Sequence, residues 1–255
     1  PFSSPEGRAL FREALGAGTL EGFFALSEQF HTQAQPAFCG LGSLVVALNA
    51  LAIDPGRLWK GPWRWFGEDM LDCCVPLEQV AQRGLTLNEL ACLARCNGAR
   101  TSVVRASQSS ASELRAAIRA ATSAAGGEVL IAAYDRAALG QTGAGHYSPI
   151  GGYHEGRALA LVMDVARFKY PPHWVSVEHL FTAMLAEDPA THAARGWVSL
   201  RADLRPRPLL LRLGAGPSGL APTLDALASS LRELRGRDVS DIAAVLVQRA
   251  SELAP

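Results

Sequence analysis

The sequence has 255 residues, 49% of them hydrophobic, enough for one substantial core with room for a small appended unit. Its 24 Lys and Arg residues balance 24 Asp and Glu residues, so no basic field points to nucleic acid and no acidic block to a solvating tail. No apolar run approaches the ~20 residues needed to span a bilayer, so no membrane helix is expected.

The first four residues, Pro1 to Ser4, lack Met and any charged-then-apolar leader pattern. They read as a processed or trimmed start, which leaves a lost targeting segment open. Two short helices follow. Ser3 and Glu6 have capping-box spacing with Pro5 in the first turn, and Gly22 to Phe30 is a second helix rich in Phe and Leu. Pro36 keeps the next stretch extended. Leu41 to Leu51 is almost wholly apolar, as in a buried helix, and Asp54-Pro55-Gly56 ends it with turn chemistry. Cys39 thus falls at the N-terminus of a buried helix. Trp59 to Phe66 is an aromatic loop. Thr86 to Cys96 is a helix, with Thr86 and Glu89 as a capping box and Asn97-Gly98 as its stop.

Beyond it, Thr101 to Arg105 is a strand and Ser112 to Ala124 an Ala-rich helix. The period then changes from helical to alternating. Glu128 to Tyr134, His146 to Tyr153 and Ala158 to Val165 read as strands, with Glu155-Gly156 as a hairpin turn. Ser176 to Ala186 is another helix and Gly196 to Arg201 another strand. Helices first and an antiparallel sheet later is an α+β order. After Asp203, Pro206, Pro208, Gly214, Gly216, Pro217 and Gly219 mark a linker, followed by two polar-faced helices over 223–235 and 239–253. The boundary divides a domain over 1–203 from an extension over 204–255, whose Ala, Leu and Arg stripes suit a docking face or a homodimer interface.

A cysteine nucleophile works as thiolate, and a helix N-terminus beside an imidazolium lowers its pKa. Cys39 meets the first condition; taken alone, it reads more readily as a buried cysteine capping a core helix. Three further features point to chemistry. Gln33 lies six residues upstream, where a side-chain amide can donate to an oxyanion. His146 opens a strand behind the Gly-rich loop Thr142 to Gly145, and Asp164 ends the partner strand. The order Gln, Cys, His, Asp is that of papain-like enzymes. A four-residue loop from His154 to Arg157 pairs Tyr153 with Ala158 and sets His146 opposite Val165, one place from Asp164. A one-residue slip flips the face, so a bulge at Gly151-Gly152 is expected to bring both side chains together.

The segments Gln33 to Gly40, Asp54 to Phe66, Leu71 to Cys74, Gln141 to Tyr153 and Asp164 to Trp174 together resemble the phytochelatin synthases, from about Ser3 to Arg201. The aromatic, cysteine-bearing form is similar to the eukaryotic type, whereas the segment after Leu204 lacks the cysteines of that family's C-terminal half. The resemblance implies a papain-like fold with the nucleophile helix packed on an antiparallel sheet. It implies that Cys39, His146 and Asp164 form a triad, and that the Gln33 amide and the Cys39 N–H hold the oxyanion. The activity implied is a γ-glutamylcysteinyl transfer from glutathione that makes phytochelatin oligomers. Arg167, Lys169 and Tyr170 match its acceptor-side motif. Trp63 and Arg64 would wall the same pocket, and Gly145 would lie at its edge.

Cys39 apart, the remaining cysteines are Cys73, Cys74, Cys92 and Cys96. With Cys39 the total is five, and an odd number argues against a secreted disulfide framework and for a reducing, cytoplasmic setting. Cys92 and Cys96 share a helix face, and neighbours at that spacing rarely bridge. Three readings stay open: thiols packing a core, a disulfide under oxidising conditions, or thiolates collecting a soft metal. The resemblance implies that these four modulate metal activation. It also implies that cadmium or zinc enters mainly with substrate, as a glutathione thiolate, with no organic cofactor. A γ-Glu-Cys peptidase that lets water attack is the nearest alternative, and a non-catalytic cysteine-rich metal binder is a second.

Overall fold

The computed structural model describes residues 1–123 and 127–204. Pro1 to Leu204 fall within one compact unit. The linker and two helices expected after residue 204 lie outside the described residues.

The helices are α1 (Pro5–Gly16), α2 (Glu21–Glu28), α3 (Cys39–Ala50), α4 (Leu77–Arg83), α5 (Leu87–Cys96), α6 (Ala111–Ser123) and α7 (Val177–Leu185). The strands are β1 (Ala99–Arg105), β2 (Val129–Asp135), β3 (Gly145–His154), β4 (Leu159–Val162), β5 (His173–Ser176), β6 (Glu187–Asp188), β7 (Ala193–Ala194) and β8 (Gly196–Ala202). Six of the strands form one antiparallel sheet in the order β1-β8-β2-β3-β4-β5, and β6 and β7 make a small ribbon. Helices before sheet give the α+β class expected, consistent with a papain-like fold.

Apolar residues cover both faces of the sheet. Along β2, Ile131 and Ala133 join the core built around α3 and α5, while Leu130, Ala132 and Tyr134 join a second core with α6 and α7. Successive strand residues point to opposite faces, so this near-continuous apolar run feeds two cores at once. Every residue of α3 from Cys39 to Leu48 is buried. Truncating a core leucine there, such as Leu44, costs about 2–5 kcal/mol.

Local chemistry sets several boundaries. The cap of α1 is Ser4 rather than Ser3: its hydroxyl accepts from the Gly7 N–H at 3.0 Å, with Pro5 in the first turn. Thr86 and Glu89 form the expected capping box of α5. Ser176 caps α7 by accepting from the His179 N–H. Helix α4 and strand β5 were not foreseen; both are short, and four to seven residues carry little periodicity.

The β3–β4 hairpin is closed one residue later than expected, by Glu155 to Ala158, so His154 pairs with Leu159 and Tyr153 with Ala160. Ala158 adopts φ 48°, the left-handed turn position. The register then shifts between Ile150 and Gly152, which is the anticipated bulge. Below it Ile150 faces Val162. His146 and Asp164 lie an even number of residues from that pair and so share a face. Without the bulge they would face apart. The ladder ends at Val162, not Val165, with Met163 N–H still donating to the Pro149 carbonyl at 2.9 Å.

Candidate active site

Cys39 is the first residue of α3, so its sulfur sits at the positive end of a helix buried from Cys39 to Leu48. His146 is the second residue of β3, and Asp164 follows the end of β4. All three are buried, Asp164 completely. His146 Nε2 meets Asp164 Oδ1 at 2.9 Å, and the ring hydrogen-bonds the Cys39 sulfur. With Nε2 turned to the carboxylate, Nδ1 is the atom left for the thiol.

Burial pushes the Cys39 thiol up. The hydrogen bond and charge of His146 outweigh that, helped by backbone contacts from Tyr147 and Gly40, and hold it below the ordinary thiol value. Burial pulls His146 down, yet Asp164 and Cys39 raise it above the ordinary imidazole value. Burial raises Asp164, but His146, then Arg136, then the Ala166 N–H at 2.9 Å hold it below the usual carboxylate range. The three shifts share one sense: the fold favours a thiolate–imidazolium–carboxylate chain.

Arg136 is the residue that sequence reasoning missed. It is buried, its Nη2 donates to Asp164 Oδ1 at 2.9 Å, and the same nitrogen lies 2.7 Å from Oδ2. Nη2 is also 2.9 Å from His146 Nε2. When Nε2 carries its proton toward Asp164 that last contact joins two donors, so the carboxylate between them holds the triangle together. Nη1 donates to Gln141 Oε1 at 2.6 Å, and Gln141 Nε2 reaches His173 Nε2 at 2.9 Å. His173 Nδ1 contacts the Pro171 carbonyl at 2.9 Å, which fixes a neutral ring accepting from Gln141. Burial keeps His173 below the ordinary imidazole value, in keeping with that tautomer. No spacing rule marks an arginine at the end of a strand as the clamp of an aspartate 28 residues on.

Gln33 is buried, and its amide is engaged by the loop before the nucleophile. Its Nε2 donates to the Gln35 carbonyl at 2.7 Å and the Pro36 carbonyl at 2.9 Å, so both amide protons hold the loop that leads into Cys39. Glu68, also buried, accepts the Ala34 N–H in the same loop at 2.9 Å. Burial raises its carboxyl to about 7.

A cavity of about 370 Å³ opens over Cys39 and His146. It is lined by Pro36, Ala37 and the α4 end, Gln82 to Gly84, and by Arg136, Gly143 to Gly145, Ala166, Phe168 and Lys169. Gly145 and Lys169 therefore line it, as anticipated positions. Arg167, Tyr170, Trp63 and Arg64 are not among its lining residues. Arg167 lies over the Phe30 ring at 5.2 Å. The Tyr170 hydroxyl accepts the Thr142 N–H at 2.7 Å and its ring lies under Arg136, so it braces the Gly-rich loop and the clamp. Trp63 is 70% exposed, and Arg64 pairs with Asp54 on the surface.

The other cysteines gather in one place. Cys74 and Cys92 form a disulfide with Cα atoms 6.4 Å apart. Cys96 sulfur is 3.5 Å and Cys73 sulfur 3.9 Å from Cys74. The sulfurs of Cys73, Cys74 and Cys96 lie within 4.8 Å of one another, a donor set and spacing that suit a soft metal. The bridge joins the loop before α4 to α5, so Cys92 and Cys74 offer thiolates only after reduction. Among the described residues no helix is long and apolar enough to cross a membrane.

The family model described as Phytochelatin synthase matches residues 1–197. Glutathione gamma-glutamylcysteinyltransferase 3 of Lotus japonicus is 46% identical over 246 residues, covering 96% of this chain and 51% of that protein. Glutathione gamma-glutamylcysteinyltransferase 1 of Triticum aestivum is 55% identical over 197 residues, 77% of this chain and 39% of that one. The protein of the same name in Arabidopsis thaliana is 51% identical over 212 residues, 83% and 44%. The chain thus spans about half, or less, of the length of these curated relatives.

Proposed function

The chain belongs to the phytochelatin synthase family, and from that premise we propose that it is a γ-glutamylcysteinyl transferase building phytochelatins from glutathione through a Cys39 acyl-enzyme. The observation that carries the reading is the buried Cys39–His146–Asp164 chain opening on a cavity with basic walls.

The Cys39 thiolate attacks the carbonyl of the Cys–Gly bond. The developing oxyanion is met by the Cys39 N–H, one of the helix-start donors without an intrahelical partner. Gln33 would join it only by releasing the Gln35 or Pro36 carbonyl. His146 gives its Nδ1 proton to the departing glycine amine as the C–N bond breaks, leaving a γ-Glu-Cys thioester. The amine of a second glutathione, or of a growing oligomer, then attacks the thioester. His146 takes its proton, and the Cys39 sulfur leaves as thiolate. Asp164, held ionised by Arg136, keeps the ring oriented throughout.

Cadmium or zinc enters this scheme as substrate, as a bis-glutathione thiolate whose blocked sulfurs leave the amine free to accept. Cys73 and Cys96, with Cys74 and Cys92 after reduction, would modulate the response to metal. The product is a polythiol suited to binding soft metals, which fits a role in metal detoxification in the cytoplasm. A hydrolytic γ-Glu-Cys peptidase remains a second reading, favoured by one observation: Arg167, Trp63 and Arg64 are absent from the cavity wall.

The test is glutathione turnover with cadmium or zinc, followed by mass spectrometry, for wild type and Cys39→Ser. Oligomers that vanish in the variant support transfer. Glycine and γ-Glu-Cys without oligomers support the peptidase. Absence of glycine release from folded protein sinks both.

A further inference from the structure

Resting on the transferase reading above, we propose that Arg83 anchors a substrate carboxylate on the α4 wall of the cavity and so helps decide which peptides are accepted. The residues lining the cavity include three cations, Arg83, Arg136 and Lys169, and no Asp or Glu. Glutathione carries a carboxylate at each end, so a cavity of this sign needs fixed cations to match them. Arg136 is committed to the buried Asp164 and cannot turn to substrate without stranding that charge. Arg83 and Lys169 remain.

Arg83 is held ready in a way that Lys169 is not. Its Nη1 donates to Glu89 Oε2 at 2.9 Å and its Nη2 to Glu89 Oε1 at 2.7 Å. Glu89 is itself fixed, because Oε2 also accepts from the Thr86 N–H and hydroxyl at 2.9 Å each. A guanidinium has five N–H donors in a rigid fork. Two go to Glu89 and one leans toward the Gly84 carbonyl at 3.5 Å, which leaves donors for a ligand. The side chain is 41% exposed and lines the cavity. Glu89 acts as the fixed back-stop that orients the fork, which lowers the ordering cost of binding a carboxylate. A purely structural role explains less: an exposed pair of this kind adds little stability, and the capping box holds α5 with or without Arg83.

The experiment measures kcat/KM for release of the leaving amine, glycine or glycinamide, with glutathione and two analogues. One has the glycyl carboxylate as an amide, the other the glutamyl α-carboxylate. Wild type, Arg83→Ala and Arg83→Lys are compared, with thermal unfolding and alkylation of Cys39 as controls for an intact site. Arg83→Ala should lower kcat/KM for glutathione by ~10- to 100-fold, the scale of one charged hydrogen bond. It should lower one analogue equally and the other little, and the insensitive analogue identifies the carboxylate that Arg83 holds. Arg83→Lys, which keeps the charge and the Glu89 contact, should recover part of the loss, and it carries the test if Arg83→Ala unfolds. An equal loss on all three substrates, or none, overturns the assignment. Wild type that releases neither glycine nor glycinamide from any of them overturns the transferase reading first and this inference with it.

Discussion

Two groups of cysteines in this chain show how far surroundings decide what a sulfur does. Cys39 is buried alone at a helix start, against an imidazole that a buried carboxylate keeps charged. Cys73, Cys74, Cys92 and Cys96 have mainly one another, across the loop before α4 and one face of α5. The first arrangement stabilises one thiolate and aims it at a carbonyl. The second offers several soft donors at bonding distance of a common centre, or of each other. One environment is built for nucleophilic attack, the other for metal capture or oxidation.

The sharpest way to separate the two is to remove Cys39. Cys39→Ala should cut kcat by on the order of 10⁴ or more, while soft-metal binding after reduction stays as in wild type. Isothermal titration with cadmium beside a glycine-release assay checks both halves at once, and a matching loss of metal sites would merge the two groups.

Next in size is the clamp behind the nucleophile. Arg136→Met strands the buried Asp164 charge, and urea denaturation should show a loss of about 3–5 kcal/mol at neutral pH. As pH falls and Asp164 protonates, the deficit should shrink. A deficit independent of pH would mean that packing, not charge, is what Arg136 supplies.

The cluster should speak through stability rather than rate. The Cys74–Cys92 bridge spans 18 residues, and a loop of that length is worth ~3 kcal/mol by chain entropy. Reductant should lower the Tm of oxidised wild type and leave Cys92→Ser unmoved. Equal shifts in both proteins would place the sensitivity elsewhere.

The pH dependence distinguishes the groups more gently. The Cys39 thiol lies below its ordinary value and His146 above its own, so the reactive ion pair exists between those two limits. The acid limb of kcat/KM should fall below the usual thiol range, and the alkaline limb above the usual imidazole range. Arg136→Met leaves Asp164 ionised at alkaline pH and removes a cation 2.9 Å from His146 Nε2, so it should extend the window on its alkaline side.

The smallest effect concerns Glu68, under the loop leading into Cys39. Its folded carboxyl is raised to about 7, so the fold favours the protonated form. Its contribution to stability is greatest below the ordinary carboxylate value, declines as pH rises from there to about 7, and is constant above. Glu68→Gln should remove that slope and cost little at pH 8, as chemical denaturation across pH will show.

Much of this geometry is written in local pattern. The apolar run from Leu41 to Leu48 has room for only a buried helix, and Thr86 with Glu89 announces the start of α5 at Leu87. The parity between His146 and Asp164 demanded an extra residue, and Gly151 supplies it. What escaped notice depends on partners far along the chain. Arg136 looks like any charge after a strand until Asp164 folds against it. Gln33 has the position of an oxyanion donor, but its rotamer is chosen by two carbonyls two and three residues on. The disulfide partner of Cys74 could not be read from spacing, because sequence says nothing of how α5 packs beside the preceding loop.

The bulge at Gly151 has an engineering corollary. It sets the phase between His146 and Asp164 below the hairpin tip, so the tip itself is spared that duty. Glu155 to Arg157 are exposed, and their ion pairs with Arg119 and Glu6 lie on the surface. A sensor peptide or a fluorescent domain grafted between Glu155 and Gly156 would hang outside the pairing that aligns the triad. The same insertion made one strand residue lower would act as a frameshift of the sheet and silence it.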